Sequence, residues 1–404
     1  LINMINVPGV AMAGWISAEE AQVRLGVKPQ TLYAYVSRGQ IVARADDADP
    51  RRSLYAVADV DRLALRKRQG RRATVAREAM SFGEPVLSSA ITTIVGGRLY
   101  YRGLDAARLS DSVTLEAAAR LLWGCGDDDP FLGLKAQPLT TAGPDGRTRA
   151  FALLAQRAAA DPAIAGRSDV ALRREAAALL GDLVNAACGA GGGGLLHDRL
   201  ARAWRIEGTR VDMLRRCLVL CADHELNASA FAARVAASTG ASLAAGALAG
   251  LSTLSGPLHG GMTAQVQSFV AEVQRGIDPR GAALHRLAQG LTVPGFGHPL
   301  YQGPDPRAEA IRRGAPWSAE MAEIAAACEE VTGARANLDF ALVAASRTLN
   351  LPREGPFILF ALGRAAGWIA HMLEQHASGA GLIRPRARYI GPPPEAEIVA
   401  HAAE

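Results

Sequence analysis

Lysine is nearly absent from this sequence: of 44 basic residues in 404, only Lys28, Lys67 and Lys135 are not arginine. Aromatic residues are also scarce, at 5%. Neither scarcity names an activity. Charged residues make up 21% and hydrophobic ones 49%, too little charge and too much apolar surface for a disordered chain. The five cysteines (Cys125, Cys188, Cys217, Cys221, Cys328) form no C-x-x-C pair. That argues against a disulfide framework or zinc ribbon and for free thiols in a reducing cytosol, so the expected location is cytoplasmic. There is no basic region ahead of the short apolar N-terminal stretch. The longest small-residue tract, Ala228 to Gly256, is interrupted by Arg234 and rich in Gly and Ser. Neither a signal peptide nor a membrane span is expected.

What charge there is sits at one end. Residues 1–78 hold 13 basic and 8 acidic residues, which accounts for the whole formal charge of +5. The asymmetry suggests an N-terminal module that meets a polyanion, or a solvated basic linker, ahead of a neutral body. Ser17-Ala-Glu-Glu20 reads as a capping box opening a helix from Ala18 to about Leu25, closed by Gly26. Pro29 suits the first position of a second helix carrying Leu32, Tyr33 and Val36, with Leu32 and Tyr33 packing a small core and Gly39 as its cap. A strand over Ile41 to Arg44, a polar hairpin tip over Asp46 to Arg52, and a strand from Tyr55 running into another helix complete the module.

Residues 14–68, with "WISAEEAQVRLGVKPQTLYAYVSRGQI" and "RRSLYAVADVDRL", resemble the winged helix-turn-helix of the MerR and excisionase type. The resemblance implies that the second helix enters a major groove, with Gln30, Thr31, Ala34 and Arg38 facing DNA and Arg51 and Arg52 of the wing on the backbone. The alternative is a module that docks on its own body or on a partner protein. Residues 69–80 read as a basic linker.

From Ser81 onward the pattern gives short strands with turns at Gly83 and Gly96-Gly97, a helix capped by Thr114, and then Ala- and Leu-rich helical periodicity to the C-terminus. The body is expected to be mainly α. The run Gly189 to Gly194 lacks the Lys-Ser/Thr of a phosphate loop and reads as a flexible loop. Three histidines stand in unusual company: His224 in "HELNASAFAARV", His259 in "SGPLHGGM" and His298 in "GFGHPLYQGPDPRA". Glycines near the last two let the backbone approach a ligand closely, and Arg307 follows in a turn-like Asp-Pro-Arg. Asp339 lies in the apolar "ANLDFALV", where burial raises a carboxylate's pKa unless a charge pairs with it. No histidine pair has the i, i+4 spacing of a helical zinc site, so no metal is expected.

In this order "HELNAS", "GPLHGG", "GFGHPLY…DPRA", "LDF", "FALGRAAGWIAH" and "RPRARYIG" resemble citrate synthase over residues 81–404. The resemblance implies an α-helical homodimer with large and small domains, the small one spanning roughly 262–360, that close over the substrates. It makes His259, His298 and Asp339 the catalytic trio. It places His224, Arg307, Phe360 and Arg364 around oxaloacetate and sends Arg384 into the neighbouring subunit's site. Acetyl-CoA is a co-substrate and no cofactor is implied. The chain departs from the family in "GHPLY" with Gln302, where a basic-rich loop is commoner, in "ALVAAS" after Asp339, and in a short body.

The reaction implied is condensation of acetyl-CoA with oxaloacetate, or of propionyl-CoA in a 2-methylcitrate synthase. A methyl group beside a thioester is a very weak acid, so the base needs help from a donor on the enolate oxygen. Asp339 takes the proton and His259 supplies the hydrogen bond. Val266, Phe269, Val270 and Val273 at helical spacing place His259 at a helix N-terminus, whose dipole is expected to keep it neutral. His298 polarises the ketone and the arginines hold the dicarboxylate. The other reading is a transcription regulator whose body senses a tricarboxylate or CoA ester.

Overall fold

The computed structural model describes residues 14–37, 40–46, 49, 51–61, 63–64, 87–135, 141–314, 316–387 and 389–391. The chain divides into two compact units, Leu1–Ser88 and Ser89–Glu404. In the first, the helix Ala18–Leu25 starts where Ser17 accepts from the Glu20 amide and ends at Gly26 in the left-handed conformation. Glu20 does not reach back to close a capping box; its carboxylate pairs with Arg24 one turn on, at 2.9 Å. The helix Pro29–Ser37 follows, then strands Ala43–Ala45 and Ser53–Ala56, the latter central between the former and Trp15–Ser17. A small core of Ile16, Ala21, Leu25, Leu32, Ile41, Tyr55 and Val60 holds these elements together. Tyr33 departs from the sequence reading: it is 64% exposed, and Tyr35 and Val36 pack in its stead. Arg38, Gly39, Gly83 and residues 69–80 lie outside the described residues.

The second unit opens with a three-stranded antiparallel sheet, Thr92–Val95, Arg98–Tyr101 and Leu104–Asp105. Gly96 and Gly97, both at positive φ, make its first turn. Among the described residues, every later element is a helix apart from one isolated bridge between Phe296 and Ala336. The central helix, Gly355–Ala377, is long and apolar enough to cross a bilayer, yet its apolar window is wholly buried inside the fold, the situation of a core helix. Its glycines explain how closely it is packed. A Cβ on Gly367 would lie 2.3 Å from the Ala222 carbonyl, and one on Gly363 would lie 2.5 Å from the Leu218 carbonyl, so the helix Arg210–Cys221 approaches backbone to backbone. The Gly189–Gly194 loop is pinned rather than loose. Arg149 donates to the Ala186 and Ala187 carbonyls, Arg199 to Gly194 and Arg202 to Gly193.

Two apolar cores share this unit. The larger is built around Gly355–Ala377 and takes in Leu254, Ala308, Ala310 and Ile311. The smaller is Val266, Phe269, Val270, Ala282, Ala283, Val293, Met321, Ile324, Ala325, Cys328, Ala336, Phe340, Val343 and Ala344. The helix Leu338–Thr348 belongs to both: Leu338, Ala341, Leu342 and Ala345 face the larger core, and Phe340, Val343 and Ala344 face the smaller. Residues 306–314 and 355–360 pack with the larger core, so the smaller one occupies less than the 262–360 span read from the sequence.

Candidate active site

The three residues given catalytic roles all lie where the chain passes from one core to the other. His259 is in the turn between Leu243–Leu254, which packs on the larger core, and Met262–Gln274, which packs on the smaller. His298 lies between Val293 of the smaller core and the helix Pro306–Gly314 on the larger one. Asp339 stands in the first turn of the shared helix.

Asn337 ties two of these segments together. Its Oδ1 caps the helix by accepting from the Asp339 and Phe340 amides (3.0 and 3.4 Å), while its Nδ2 donates to the Gly297 carbonyl at 2.9 Å. Asp305 supplies the second tie, accepting from the Leu338 amide at 3.1 Å and holding Arg307 through Nε and Nη2 at 3.0 and 2.7 Å. The pair is buried, so the mutual charge keeps Asp305 below the usual carboxylate range despite burial that pushes the other way. Arg364 is 1% exposed; its Nε donates to the Cys221 carbonyl at 2.9 Å and its Nη2 is buried without a partner.

Burial, with these cations second, sets the state of the imidazoles. His224 is buried, and burial followed by the charges of Arg307 and Arg364 holds its pKa well below the ordinary imidazole value. Burial, then Arg364 and Arg307, lowers His259 to about 3; burial, then Arg307, lowers His298 to about 4. All three rings are therefore neutral near pH 7. For His259 this corrects the reason read from the sequence. Its helix begins only at Met262, with Gly261 at the cap, and burial and the arginines hold the ring neutral. His298 Nδ1 accepts from the Leu300 amide at 3.1 Å, which leaves its proton on Nε2 as a donor. The His259 Nε2 lies 2.9 Å from Ser229 Oγ and 3.2 Å from Asn227 Oδ1, with Phe360 edge-on to the ring at 5.9 Å.

Asp339 is the carboxylate of the set that is pushed toward neutrality. Burial raises its pKa to about 7, with Arg307 opposing and Asp305 reinforcing, and its Oδ1 is buried with no hydrogen-bond partner. An orphaned carboxylate oxygen inside a folded protein is costly, and such strain is concentrated where protons are moved.

Ring contacts gather the candidate residues into two groups, and the charges of Arg307 and Arg364, felt by His224, His259 and Asp339 alike, link them. His224 meets His298 at 5.1 Å, His259 meets Phe360, and Phe360 lies beneath the Arg364 guanidinium at 5.0 Å. Arg384 is apart: it is exposed on the stretch after the last helix and makes no hydrogen bond or ion pair among the described residues. Sequence reasoning missed Ser229, Asn337, Asp305 and Tyr301. All four lie in or beside the quoted strings, but their roles depend on neighbours 30 to 77 positions away. Among the described residues no group of three or more His, Cys, Asp or Glu side chains is placed to hold a metal ion.

Residues 195–386 match the family model described as citrate synthase, C-terminal domain. Citrate synthase of Haloferax volcanii is 40% identical over 185 residues, 43% of this chain and 48% of that protein. The 2-methylcitrate synthase of Shewanella oneidensis is 27% identical over 368 residues, 79% of this chain and 95% of that protein. The match spans about half the length of the relatives at 32–40% identity. Among solved structures, citrate synthase of Thermoplasma acidophilum, in ternary complex with carboxymethyl coenzyme A and oxaloacetate, superposes with a TM-score of 0.64 at 22% identity, covering 79% of this chain and 99% of that one. The fold of the second unit is therefore the mainly helical citrate synthase fold, and residues 195–386 are similar to the C-terminal domain of the citrate synthase family.

Proposed function

We propose that this protein condenses acetyl-CoA with oxaloacetate to give citrate and free CoA. The observation that carries the reading is Asp339: a buried carboxylate with an orphaned oxygen and a pKa near 7, in the field of two buried arginines that also act on the neutral imidazoles. Oxaloacetate is a dianion, and Arg307 and Arg364 match its carboxylates with planar donor pairs, His224 adding a neutral donor. Asp339 then takes a proton from the acetyl methyl group. Raised to about 7, it is a stronger base than an ordinary carboxylate by roughly 4 kcal/mol, at about 1.4 kcal/mol per pKa unit. The C–H electron pair moves toward the thioester oxygen, where a hydrogen bond from His259 stabilises the enolate. A neutral imidazole suits this because its acidity is closer to that of the enol. The enolate carbon attacks the ketone carbon, a C–C bond forms, and the ketone oxygen takes its proton from His298 Nε2. Water then attacks the thioester carbonyl and gives a proton back to His298 Nε2; the C–S bond breaks, the sulfur takes the proton that Asp339 had removed, and CoA leaves as the thiol. Closure of the smaller core over the larger keeps water away until the carbon bond exists. In the same reading the chain works as a homodimer, with Arg384 completing the partner's site.

Propionyl-CoA is the second donor to test, since a relative covered almost end to end is a 2-methylcitrate synthase. Mass spectrometry of products from oxaloacetate with each acyl-CoA decides between them. Citrate in excess supports the reading given; 2-methylcitrate in excess reassigns the donor; no product from either, with oxaloacetate bound, leaves a sensor.

For the N-terminal unit the reading is contact with duplex DNA. It is supported by Gln30 and Thr31, exposed on the second helix, and by the exposed Arg51 and Arg52 of the hairpin. Binding to a selected duplex should weaken steeply with salt, and binding to no duplex even at low salt would contradict it.

A further inference from the structure

We propose that Tyr301 is a positioning residue that locks the His224 ring in the form whose Nδ1–H is free to donate to substrate. The inference rests on the reading of His224 as an oxaloacetate ligand. Its structural half stands on geometry. Tyr301 is 5% exposed, and its hydroxyl lies 2.9 Å from His224 Nε2. Burial pushes the phenol far above neutrality, and His224 is held neutral by burial and the two arginines, so the pair carries one phenolic proton and one ring proton.

Only one arrangement satisfies both groups. With the ring proton on Nε2, that N–H would point at the phenol oxygen and the phenolic proton would have no acceptor among the described residues. With the phenol donating to Nε2, the ring proton sits on Nδ1. That nitrogen has no partner among the described residues and is not sealed from solvent. The result complements His298, whose ring lies 5.1 Å from that of His224 and whose Nδ1 is tied to the Leu300 amide. Two neighbouring neutral imidazoles thus each offer an N–H, one from Nδ1 and one from Nε2. In the other form, His224 would turn a lone pair toward a substrate oxygen. The Tyr301 ring also packs on His298 at 4.9 Å and under the Arg307 guanidinium at 5.5 Å. Phenylalanine would keep both contacts and lose only the hydroxyl.

The test is Tyr301→Phe in the full-length protein, with two readouts. Nitrogen-15 NMR of histidine-labelled protein, with the His224 signals identified by their loss in His224→Asn, should place the wild-type proton on Nδ1 and show a mixture of forms in Tyr301→Phe. Calorimetric titration with oxaloacetate should show Kd about ten-fold weaker in Tyr301→Phe, the equivalent of about 1.4 kcal/mol, and no further weakening when the change is added to His224→Asn. Binding of acetyl-CoA should be unchanged. A wild-type proton on Nε2, or Tyr301→Phe binding oxaloacetate as tightly as wild type, would overturn the proposal. A wild-type protein with the Nδ1 proton but no affinity for oxaloacetate would overturn the substrate assignment alone, and with it the reading beneath.

Discussion

Ser229 Oγ lies 2.9 Å from His259 Nε2, and it accepts from the Trp368 indole N–H at 3.0 Å. Because the indole occupies one lone pair, the serine keeps its own proton to give, either to His259 Nε2 or to Asn227 Oδ1 at 2.7 Å. Given to His259, it leaves the ring proton on Nδ1, the form that can donate to a thioester oxygen.

Ser229→Ala should therefore lower kcat by about 10² while leaving the affinity for oxaloacetate within two-fold, roughly the scale of losing one donor to a developing oxyanion. Steady-state kinetics with calorimetric oxaloacetate binding checks the split. Equal losses in both would make Ser229 a packing residue.

The pH dependence follows from Asp339. Activity needs its carboxylate, so kcat/KM should fall about ten-fold per unit as pH drops below about 7, and neither His259 nor His298 should contribute until about pH 4. Stability runs the other way. A carboxyl whose pKa is raised on folding contributes stability fully below its unfolded value of 3.8, and that contribution is lost as pH rises through about 7. Asp339→Asn should accordingly melt at a higher temperature than wild type at pH 8, with the difference vanishing below pH 4. The lowered histidines act oppositely: their contribution is full above 6.5 and lost as pH falls toward 3 to 4. Melting curves of both proteins across pH 4 to 8 test this.

Asn337→Ala should cost about 1–2 kcal/mol of stability as a lost helix cap, and kcat should fall more than that loss would suggest. The same side chain ties the Gly297 carbonyl, one residue from His298, to the amide of Asp339. Asn337→Asp restores the cap but not the donor to Gly297. It should therefore recover stability without recovering kcat, and recovery of both would contradict the tie.

The string-borne residues were legible because each short motif carries its own chemistry: His259 between glycines, Arg307 in Asp-Pro-Arg, Asp339 in an apolar run. The capping at Ser17 and Thr114 was legible for the same local reason. What lay beyond reach was set by approach in space. Nothing local says that Asn337 will meet Gly297, or that Tyr301 will meet His224. The helix after the Gly260-Gly261 pair is legible from its apolar spacing, whereas the burial of His259 and the approach of Arg364 and Arg307, which lower its pKa, are not. Tyr33 was assigned to the small core on spacing alone, and Tyr35 and Val36 are the residues packed there.

Gly367→Ala tests the packing that holds Asp223 and His224 in place. Its Cβ would fall 2.3 Å from the Ala222 carbonyl and 2.4 Å from Asp223 Oδ1, so the two helices must part. A loss of about 1–3 kcal/mol is expected, visible as a lower melting temperature together with weakened oxaloacetate binding.

The most direct measurement is release of CoA thiol from acetyl-CoA with oxaloacetate, comparing wild type with Asp339→Asn. Turnover by the wild type, reduced by about 10³ or more in a variant that still binds oxaloacetate, is the result predicted for a carboxylate that removes the methyl proton. Undiminished turnover in Asp339→Asn, or none in the wild type with either acyl donor, would contradict it.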